Sequence, residues 1–368
     1  MRVFILTLGT WGDIALFVGL GRELRSRGHH VVVGTSAFYS SVVEAEGLEW
    51  SHVGQGSWQR MEAVLRAMST VEGHTARAYT YLQHWLGPEL SAAQRQIATL
   101  GSQADYFISN LKMVLQKGGR TMPGAAVTYD PPGSIEDLPR YGTQNHQGAI
   151  LDLVALSRGL FDPAGAWGDA YHFTGFWIDE VRSPAPWQPP PELQSFVDQG
   201  APPVIITLGS MITDLSRLIG ALGPALRLCG LRAVLVLGWS QPPQHDDSWP
   251  IHVVREAPYG WLFPRCSAVF HHGGYGTTAA AIRAGRPSII LPRLGCQDLI
   301  GRALLRANLA TGVFDPDSLD PNDLAQAILS AVRDEQVQSS VRAWQQTVTL
   351  EPGVRGAADL IEAHQRGR

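Results

Sequence analysis

His271-His272-Gly273-Gly274-Tyr275-Gly276-Thr277-Thr278 follows the apolar run Ala268-Val269-Phe270. It leads into Ala279-Ala280-Ala281-Ile282-Arg283-Ala284, which stops at Gly285 with Pro287 just beyond. A strand, a glycine turn with two hydroxyls and a helix start, in that order, make an anion site. The first N–H groups of a helix lack internal partners and point outward, and the helix dipole favours negative charge there. Glycines let a phosphate approach the backbone without a Cβ in the way. Uncharged histidine and threonine donors add hydrogen bonds with little added charge, which suits a diphosphate that is held and later released. Two commoner glycine-rich loops are excluded by spacing. There is no Gly-Lys-Ser/Thr, so no Walker P-loop, and no GxGxxG follows the first strand. An isolated Gly-Gly turn would read as a tight strand-to-helix connection and nothing more. Here the pattern continues through a further strand, Ser288 to Leu291, to Pro292 and the polar pair Gln297-Asp298.

Outward from this stretch the same alternation recurs. Val3 to Leu8 reads as a buried strand, residues 9–13 as a glycine-rich loop, and Ile14 to Arg27 as a helix. That helix has Leu16, Phe17, Leu20 and Leu24 on one face, and Gly28 stops it. His30 to Gly34, Tyr106 to Ser109 and Ala125 to Tyr129 read as further strands, and residues 130–150, rich in Pro, Gly and Asn, as an irregular surface segment. Residues 51–100 read as more polar helices carrying Trp58, Tyr79, Tyr81 and Trp85. The proline-rich run from Ser183 to Pro191 marks a stiff linker, followed by a short helix at Glu192 to Gln199. The pattern then restarts with a strand at Val204 to Leu208, the turn Gly209-Ser210-Met211, a helix over 214–229 and a strand at Ala233 to Leu237. Continuous apolar strands alternating with amphipathic helices predict an α/β chain of two doubly wound parallel-sheet domains. The expected division is 1–182, a linker at 183–202, a second domain at 203–350, and a C-terminal helix at 351–368 packing back on the first. In such folds ligands bind in loops at the carboxyl ends of the strands.

Composition fits this division. The chain has 368 residues, 45% of them apolar, which is enough for two cores. Its formal net charge is −4 with no basic block, which argues against nucleic acid and anionic membrane as partners. Cys229, Cys266 and Cys296 are odd in number with no CxxC, as expected of a reducing compartment. No run approaches transmembrane length, and the first apolar run is too short for a signal peptide. The expectation is a cytoplasmic protein without stable membrane insertion.

The assembled pattern resembles the GT1-type nucleotide-sugar glycosyltransferases of GT-B fold, most of all the bacterial antibiotic and sterol glycosyltransferases. The resemblance covers nearly the whole chain. Leu8-Gly9-Thr10-Trp11-Gly12-Asp13 is similar to the family's GTxGD loop. Phe173-Thr174-Gly175-Phe176-Trp177, Leu208-Gly209-Ser210-Met211 and Ala257-Pro258-Tyr259-Gly260-Trp261-Leu262-Phe263-Pro264 match family segments, the last leading into the histidine–glycine run. The resemblance implies two Rossmann-like domains facing a central cleft, an acceptor-binding one first and a donor-binding one second. It implies that His272, Gly274, Gly276, Thr277 and Thr278 hold the donor diphosphate. Ala257 and Tyr259 would border the nucleobase through backbone contacts, with Ser210, Met211 and Trp239 near the phosphates. His271 and Trp261 read better as packing residues.

Two departures stand out. The family ends its donor motif with Asp-Gln, which grips sugar hydroxyls; here Cys296-Gln297 align, and the carboxylate arrives one place later as Asp298. Cysteine is a poor hydroxyl acceptor. Either Asp298 does this work through a shifted loop, or the sugar lacks that hydroxyl, and a deoxysugar is the favoured expectation. Longer members also carry a helical insertion where this chain has only residues 140–170.

The expected function is transfer of a sugar from a TDP- or UDP-sugar to a hydroxyl of a small-molecule natural product, with inversion, in antibiotic biosynthesis. No resident cofactor and no metal are expected, because no DxD-like carboxylate pair lies in the donor region. Asp13 is the candidate general base, partial burial raising its pKa. It also reads as a helix N-cap. Two other readings are a nucleotide-sugar epimerase, disfavoured by the few acids between 271 and 298, and a nucleotide-sugar-binding relative that acts as partner or activator without transfer.

Overall fold

The computed structural model of the chain describes residues 1–111, 115, 123–131, 150–177, 187–210, 215–243 and 248–367. Met211, most of the 130–150 segment and part of the proline-rich linker lie outside these described residues. The chain divides into two compact units. The first comprises Met1–Val64, Tyr79–Pro184 and Glu351–Arg368; the second comprises Leu65–Ala78 and Ala185–Leu350.

The first unit is built on a parallel sheet of seven described strands. They are β1 (Arg2–Leu6), β2 (His30–Thr35), β3 (Glu49–His52), β4 (Tyr106–Ser109), β5 (Gly124–Thr128), β6 (Ile150–Val154) and β7 (Tyr171–Phe173). Their spatial order is β3-β2-β1-β4-β5-β6-β7. Val3, Phe4, Ile5 and Leu6 are all buried, because helices cover both faces of a central parallel strand. The first helix, Trp11–Ser26, buries Ile14, Leu16, Phe17, Leu20 and Leu24, and so begins three residues earlier than the apolar periodicity alone suggests. The helix Gly353–Arg366 packs against it. It buries Ala357, Ala358 and Ile361 and reaches β4 through a 2.7 Å hydrogen bond between His364 Nδ1 and Tyr106 Oη.

The second unit repeats the plan with β8 (Val204–Thr207), β9 (Ala233–Val236), β10 (Ile251–Val254), β11 (Ala268–His271), β12 (Ser288–Ile290) and β13 (Ala310–Val313). Their order is β10-β9-β8-β11-β12-β13, all parallel. On one face the helices Ser216–Cys229 and Pro321–Arg333 close the core with Leu218, Leu222, Leu226, Leu324 and Ile328. In both units the strand order reverses beside the first strand, between β1 and β4 and between β8 and β11. This switch point leaves a crevice at the carboxyl ends of the strands, where doubly wound folds take ligands. The strands β3, β6, β7, β10 and β13 have no counterpart in the apolar-run reading. Four of them, β3, β7, β10 and β13, are the edges of the two described sheets, and β3, Glu-Trp-Ser-His, has no fully buried residue.

Candidate functional site

In the second unit, β11 ends at His271 and the helix Tyr275–Arg283 begins after Gly274, its N-cap, with no side-chain cap on its first N–H groups. Gly276, Thr277 and Thr278 form its first turn. His271 is fully buried; its Nδ1 accepts the Gly273 N–H at 3.2 Å, which makes it the brace of the turn. Burial and its neighbour His272 bring the His271 imidazole down to about 3, and burial alone brings His272 to about 4. Both rings are therefore neutral at neutral pH.

His272 sits between the β8 loop and the helix start. A Cβ at Gly209 would lie 2.7 Å from His272 Cε1, and one at Gly274 would lie 2.1 Å from His272 Nε2. Only glycine allows this approach at either place, and Gly209 also has φ +62°. His272 Nδ1 and Thr278 Oγ1 are buried and have no hydrogen-bond partner among the described residues. The loops after β8 and β11 thus meet at the switch point, with uncharged donors facing a helix N-terminus. That arrangement can hold an anion and cannot itself titrate near neutral pH. Ser210, half-buried, follows Gly209 at the same place.

Tyr259 opens a short helix, Tyr259–Leu262, and stacks on Phe263 at 4.4 Å between ring centroids. Its Oη lies 3.1 Å from Thr207 Oγ1 and also bonds the Thr277 side chain, so it ties the helix start to the end of β8. Burial pushes its phenol up. Ala257 is buried two residues earlier. Trp239, half-buried, lies in the turn after β9, and Trp261 packs on Trp187 and under Arg265.

The loop after β12 brings Gln297 to the same edge, since a Cβ at Gly273 would come within 2.8 Å of the Gln297 carbonyl oxygen. The Gln297 side chain is itself a helix cap: Oε1 accepts the N–H groups of Arg293 at 2.7 Å and Leu294 at 3.1 Å. Cys296 is buried in the first turn of the helix Gly295–Arg306, and Asp298 pairs with Arg302 at 2.6 Å, one turn on. Sequence reading named residues 296–298 but missed Arg293, whose backbone is part of the same cap.

Asp13 belongs to the first unit, at its switch point. It is not the N-cap, as the sequence suggested, because the helix begins at Trp11; Thr10 is the N-cap and Asp13 the third helical residue. Its Oδ2 accepts the Thr10 N–H at 2.7 Å and the Thr10 hydroxyl at 3.1 Å, the reciprocal half of a capping box. Tyr129, at the end of β5, donates its hydroxyl to Oδ1 and itself accepts from Asn110 Nδ2 at 2.8 Å. Neither Tyr129 nor Asn110 was legible as a site residue, because nothing local to β4 or β5 marks them.

Residues 247–356 match the family described as Erythromycin biosynthesis protein CIII-like, C-terminal domain. The chain is 26% identical, over 429 aligned positions, to the O-mycaminosyltylonolide 6-deoxyallosyltransferase of Streptomyces fradiae, covering 98% of this chain and 97% of that one. It is 24% identical to a sterol 3-beta-glucosyltransferase of Cryptococcus neoformans, over 98% of this chain but 27% of that protein, so the chain spans about a quarter of the fungal relative. Among solved structures, the calicheamicin glycosyltransferase CalG4 superposes with a TM-score of 0.71 at 18% identity, over 99% of this chain and 98% of that one. The glycosyltransferase VinC, in complex with dTDP, superposes at 0.70 and 16% identity over the full length of both chains. The two sheets are those of a GT-B fold. The chain is thus similar in sequence to an antibiotic deoxysugar transferase and to sterol glucosyltransferases, and in fold to natural-product glycosyltransferases. Among the described residues, no helix is long and apolar enough to cross a membrane.

Proposed function

We propose that the chain transfers a sugar from a nucleoside diphosphate donor, TDP-linked by preference, to a hydroxyl of a small natural product, with inversion and without a metal. The observation that carries this reading is the cradle at the Tyr275–Arg283 helix start. Neutral, buried His272 and the partnerless Thr278 hydroxyl meet a glycine-bounded helix N-terminus there. Such a site complements the negative charge that grows on a departing diphosphate, through oriented dipoles and not through a fixed cation. Its chemistry does the work for which a metal would otherwise serve. The dTDP bound to VinC and the 6-deoxyallosyl transfer named for the Streptomyces relative support a TDP-deoxysugar donor.

In this reading the second unit is the donor domain and the first the acceptor domain. Ala257 and Tyr259 border the base, and Ser210, Met211, Trp239, His272, Gly274, Gly276, Thr277 and Thr278 surround the phosphates. Asp13 takes the proton from the acceptor hydroxyl as its oxygen bonds to the anomeric carbon. The bond from that carbon to the diphosphate oxygen breaks, and the electron pair leaves with the nucleotide. A single displacement of this kind inverts the anomeric centre. Residues 296–298 face the sugar with their polar groups engaged: Gln297 caps a helix and Asp298 holds Arg302. That engagement favours a sugar with fewer hydroxyls to grip.

The test is His272→Ala. Removing one diphosphate donor from a desolvated site costs about 1–3 kcal/mol of TDP affinity, read by calorimetry, while the fold survives. Unchanged TDP affinity would overturn the cradle assignment.

A further inference from the structure

The carboxylate of Asp13 is held by more than its own helix. Asn110 follows β4 and Tyr129 follows β5, both at the carboxyl ends of their strands in the first unit. Strand pairing sets these ends beside that of β1, since Ser109 pairs with Leu6 on one side and with Ala126 on the other. Asn110 is 5% exposed and Tyr129 4%. The Tyr129 ring packs edge-on against Phe17, one turn beyond Asp13 on the same helix, at 6.4 Å between centroids. Phenylalanine would serve that packing equally well. It would also avoid bringing a hydroxyl out of water, which costs free energy unless the hydroxyl finds a partner. The hydroxyl is therefore the feature that needs a reason.

Its partners set its direction. An ionised Asp13 can only accept, so the Tyr129 hydroxyl donates to Oδ1. The phenol oxygen is then the acceptor for Asn110 Nδ2 at 2.8 Å. Asn110 Oδ1 is buried with no hydrogen-bond partner among the described residues, so the bond to Tyr129 is what its amide is there to make. A line of donors thus runs from Asn110 through Tyr129 to Asp13. The other oxygen, Oδ2, takes the Thr10 N–H at 2.7 Å and the Thr10 hydroxyl at 3.1 Å. Gly9 makes room for it, because a Cβ there would lie 2.2 Å from Oδ2. Holding both oxygens stops the carboxylate from turning about its last bond. Capping uses Oδ2 alone; nothing in the helix start calls for the hold on Oδ1. Tyr39 is the contrasting neighbour. Its hydroxyl donates to the Gly9 carbonyl at 3.4 Å, and burial with the Asp13 charge pushes its phenol up, so it stays neutral.

We propose that Tyr129, aimed by Asn110, is a positioning residue for Asp13, holding the carboxylate ionised and in one orientation until the acceptor proton reaches it. The proposal rests on the reading of Asp13 as the base. The acceptor O–H bond breaks as its oxygen joins the anomeric carbon, and the proton goes to Asp13. The diphosphate leaves with the electron pair of its own bond. Tyr129 keeps its proton throughout; its contribution is alignment and a donor to the charged form.

Tyr129→Phe keeps the ring and removes the donor, and it is measured in two ways on the full chain. The first follows the Asp13 carboxyl carbon against pH by NMR in aspartate-labelled protein, the resonance being the one that Asp13→Asn lacks. Tyr129→Phe should move that titration up by about one pH unit, the scale of one hydrogen bond to a charged group. Asn110→Leu, which lets the hydroxyl turn away, should move it part of the way. The second is a double-mutant cycle on TDP release from TDP-glucose, with water as the acceptor. Tyr129→Phe should lower kcat about tenfold with KM for TDP-glucose within about twofold, since the Thr10 hold remains, and should add less than about twofold once Asp13 is already Asn. An Asp13 titration indifferent to Tyr129 overturns the proposal. So does a loss of turnover equally large in both backgrounds, which would make Tyr129 a packing residue. Near-normal turnover in Asp13→Asn removes the base reading and the proposal with it, whereas a large loss there beside a normal Tyr129→Phe overturns the proposal alone. If Tyr129→Phe does not fold, Asn110→Leu carries both measurements.

Discussion

Asp13 carries two loads at once. Its Oδ2 closes the capping box with Thr10, and its Oδ1 receives the Tyr129 hydroxyl, so the carboxylate is held in one orientation at the end of β1. An amide keeps one oxygen for the Thr10 N–H but turns its NH2 toward the Tyr129 hydroxyl, so Asp13→Asn should keep the capping box and cost about 1 kcal/mol at the Tyr129 contact. It cannot take a proton. If Asp13 is the base, turnover in that variant should fall about 10²–10⁴-fold, with TDP affinity intact. Asp13→Ala should also lose the cap, at about 1 kcal/mol. Near-normal turnover in Asp13→Asn would leave Asp13 as a cap only. The histidine pair makes a separate prediction. Burial depresses both folded-state values, His271 to about 3 and His272 to about 4, whereas the unfolded chain titrates near the ordinary imidazole value of 6.5. Below pH 6.5 the unfolded chain binds protons that the folded one refuses. Their share of stability is therefore whole above pH 6.5 and is lost as pH falls toward 4 and then 3. His272 alone should contribute about 3 kcal/mol to that loss by pH 4, and His272→Asn should flatten the curve of Tm against pH by a matching amount. A wild-type Tm independent of pH between 6.5 and 4 would contradict the buried, neutral pair.

At the scale of elements, the helix Gly295–Arg306 is the one that, in the proposed function, meets the sugar. Cys296 lies buried in its first turn, Gln297 is spent on its cap, and Asp298 points to Arg302. Cys296→Asp puts an acceptor of hydroxyl protons two residues before Asp298. It should shift donor preference toward fully hydroxylated sugars, measured as a ratio of kcat/KM over a deoxy and a non-deoxy TDP-sugar. An unchanged ratio would point to Asp298, and Asp298→Ala would then be the damaging change. Which elements were legible in the sequence follows from the same local physics. β1, β8 and β11 are buried on both faces and read as unbroken apolar runs, and the cradle is one contiguous stretch of strand, glycine turn and helix. Edge strands such as β3 alternate weakly because water reaches them. The pairing of buried Arg77 with Asp317 could not be read either, since Asp317 lies 240 residues along the chain and only folding joins them. The capping roles of Asp13 and Gln297 needed the true helix starts, which periodicity misplaces by a turn.

At the scale of the whole molecule, the chain order and the folded order differ. The last segment, Glu351–Arg368, belongs to the unit that the first residues begin, and Leu65–Ala78 belongs to the unit that the last two hundred residues or so mostly build. The helix Gly353–Arg366 is held to the first helix by Arg27 with Asp359 at 2.6 Å, by His29 with Glu362 at 2.9 Å, and by burial of Ile361. Surface ion pairs of this kind contribute little singly, whereas a fully buried isoleucine contributes much more. Ile361→Ala should therefore destabilise the first unit by about 2–5 kcal/mol, the range for truncating a large aliphatic side chain in a close-packed core. Ile361 belongs to the first unit and the cradle to the second, so TDP affinity should be unchanged at temperatures where the variant is folded. Calorimetric melting with and without TDP makes the distinction. The mutation should lower the transition of the first unit, and TDP should still raise that of the second, because a ligand stabilises the unit that binds it. Loss of TDP binding in folded Ile361→Ala would mean that the C-terminal helix supports the donor site as well, and the division of labour between the two units would have to be redrawn.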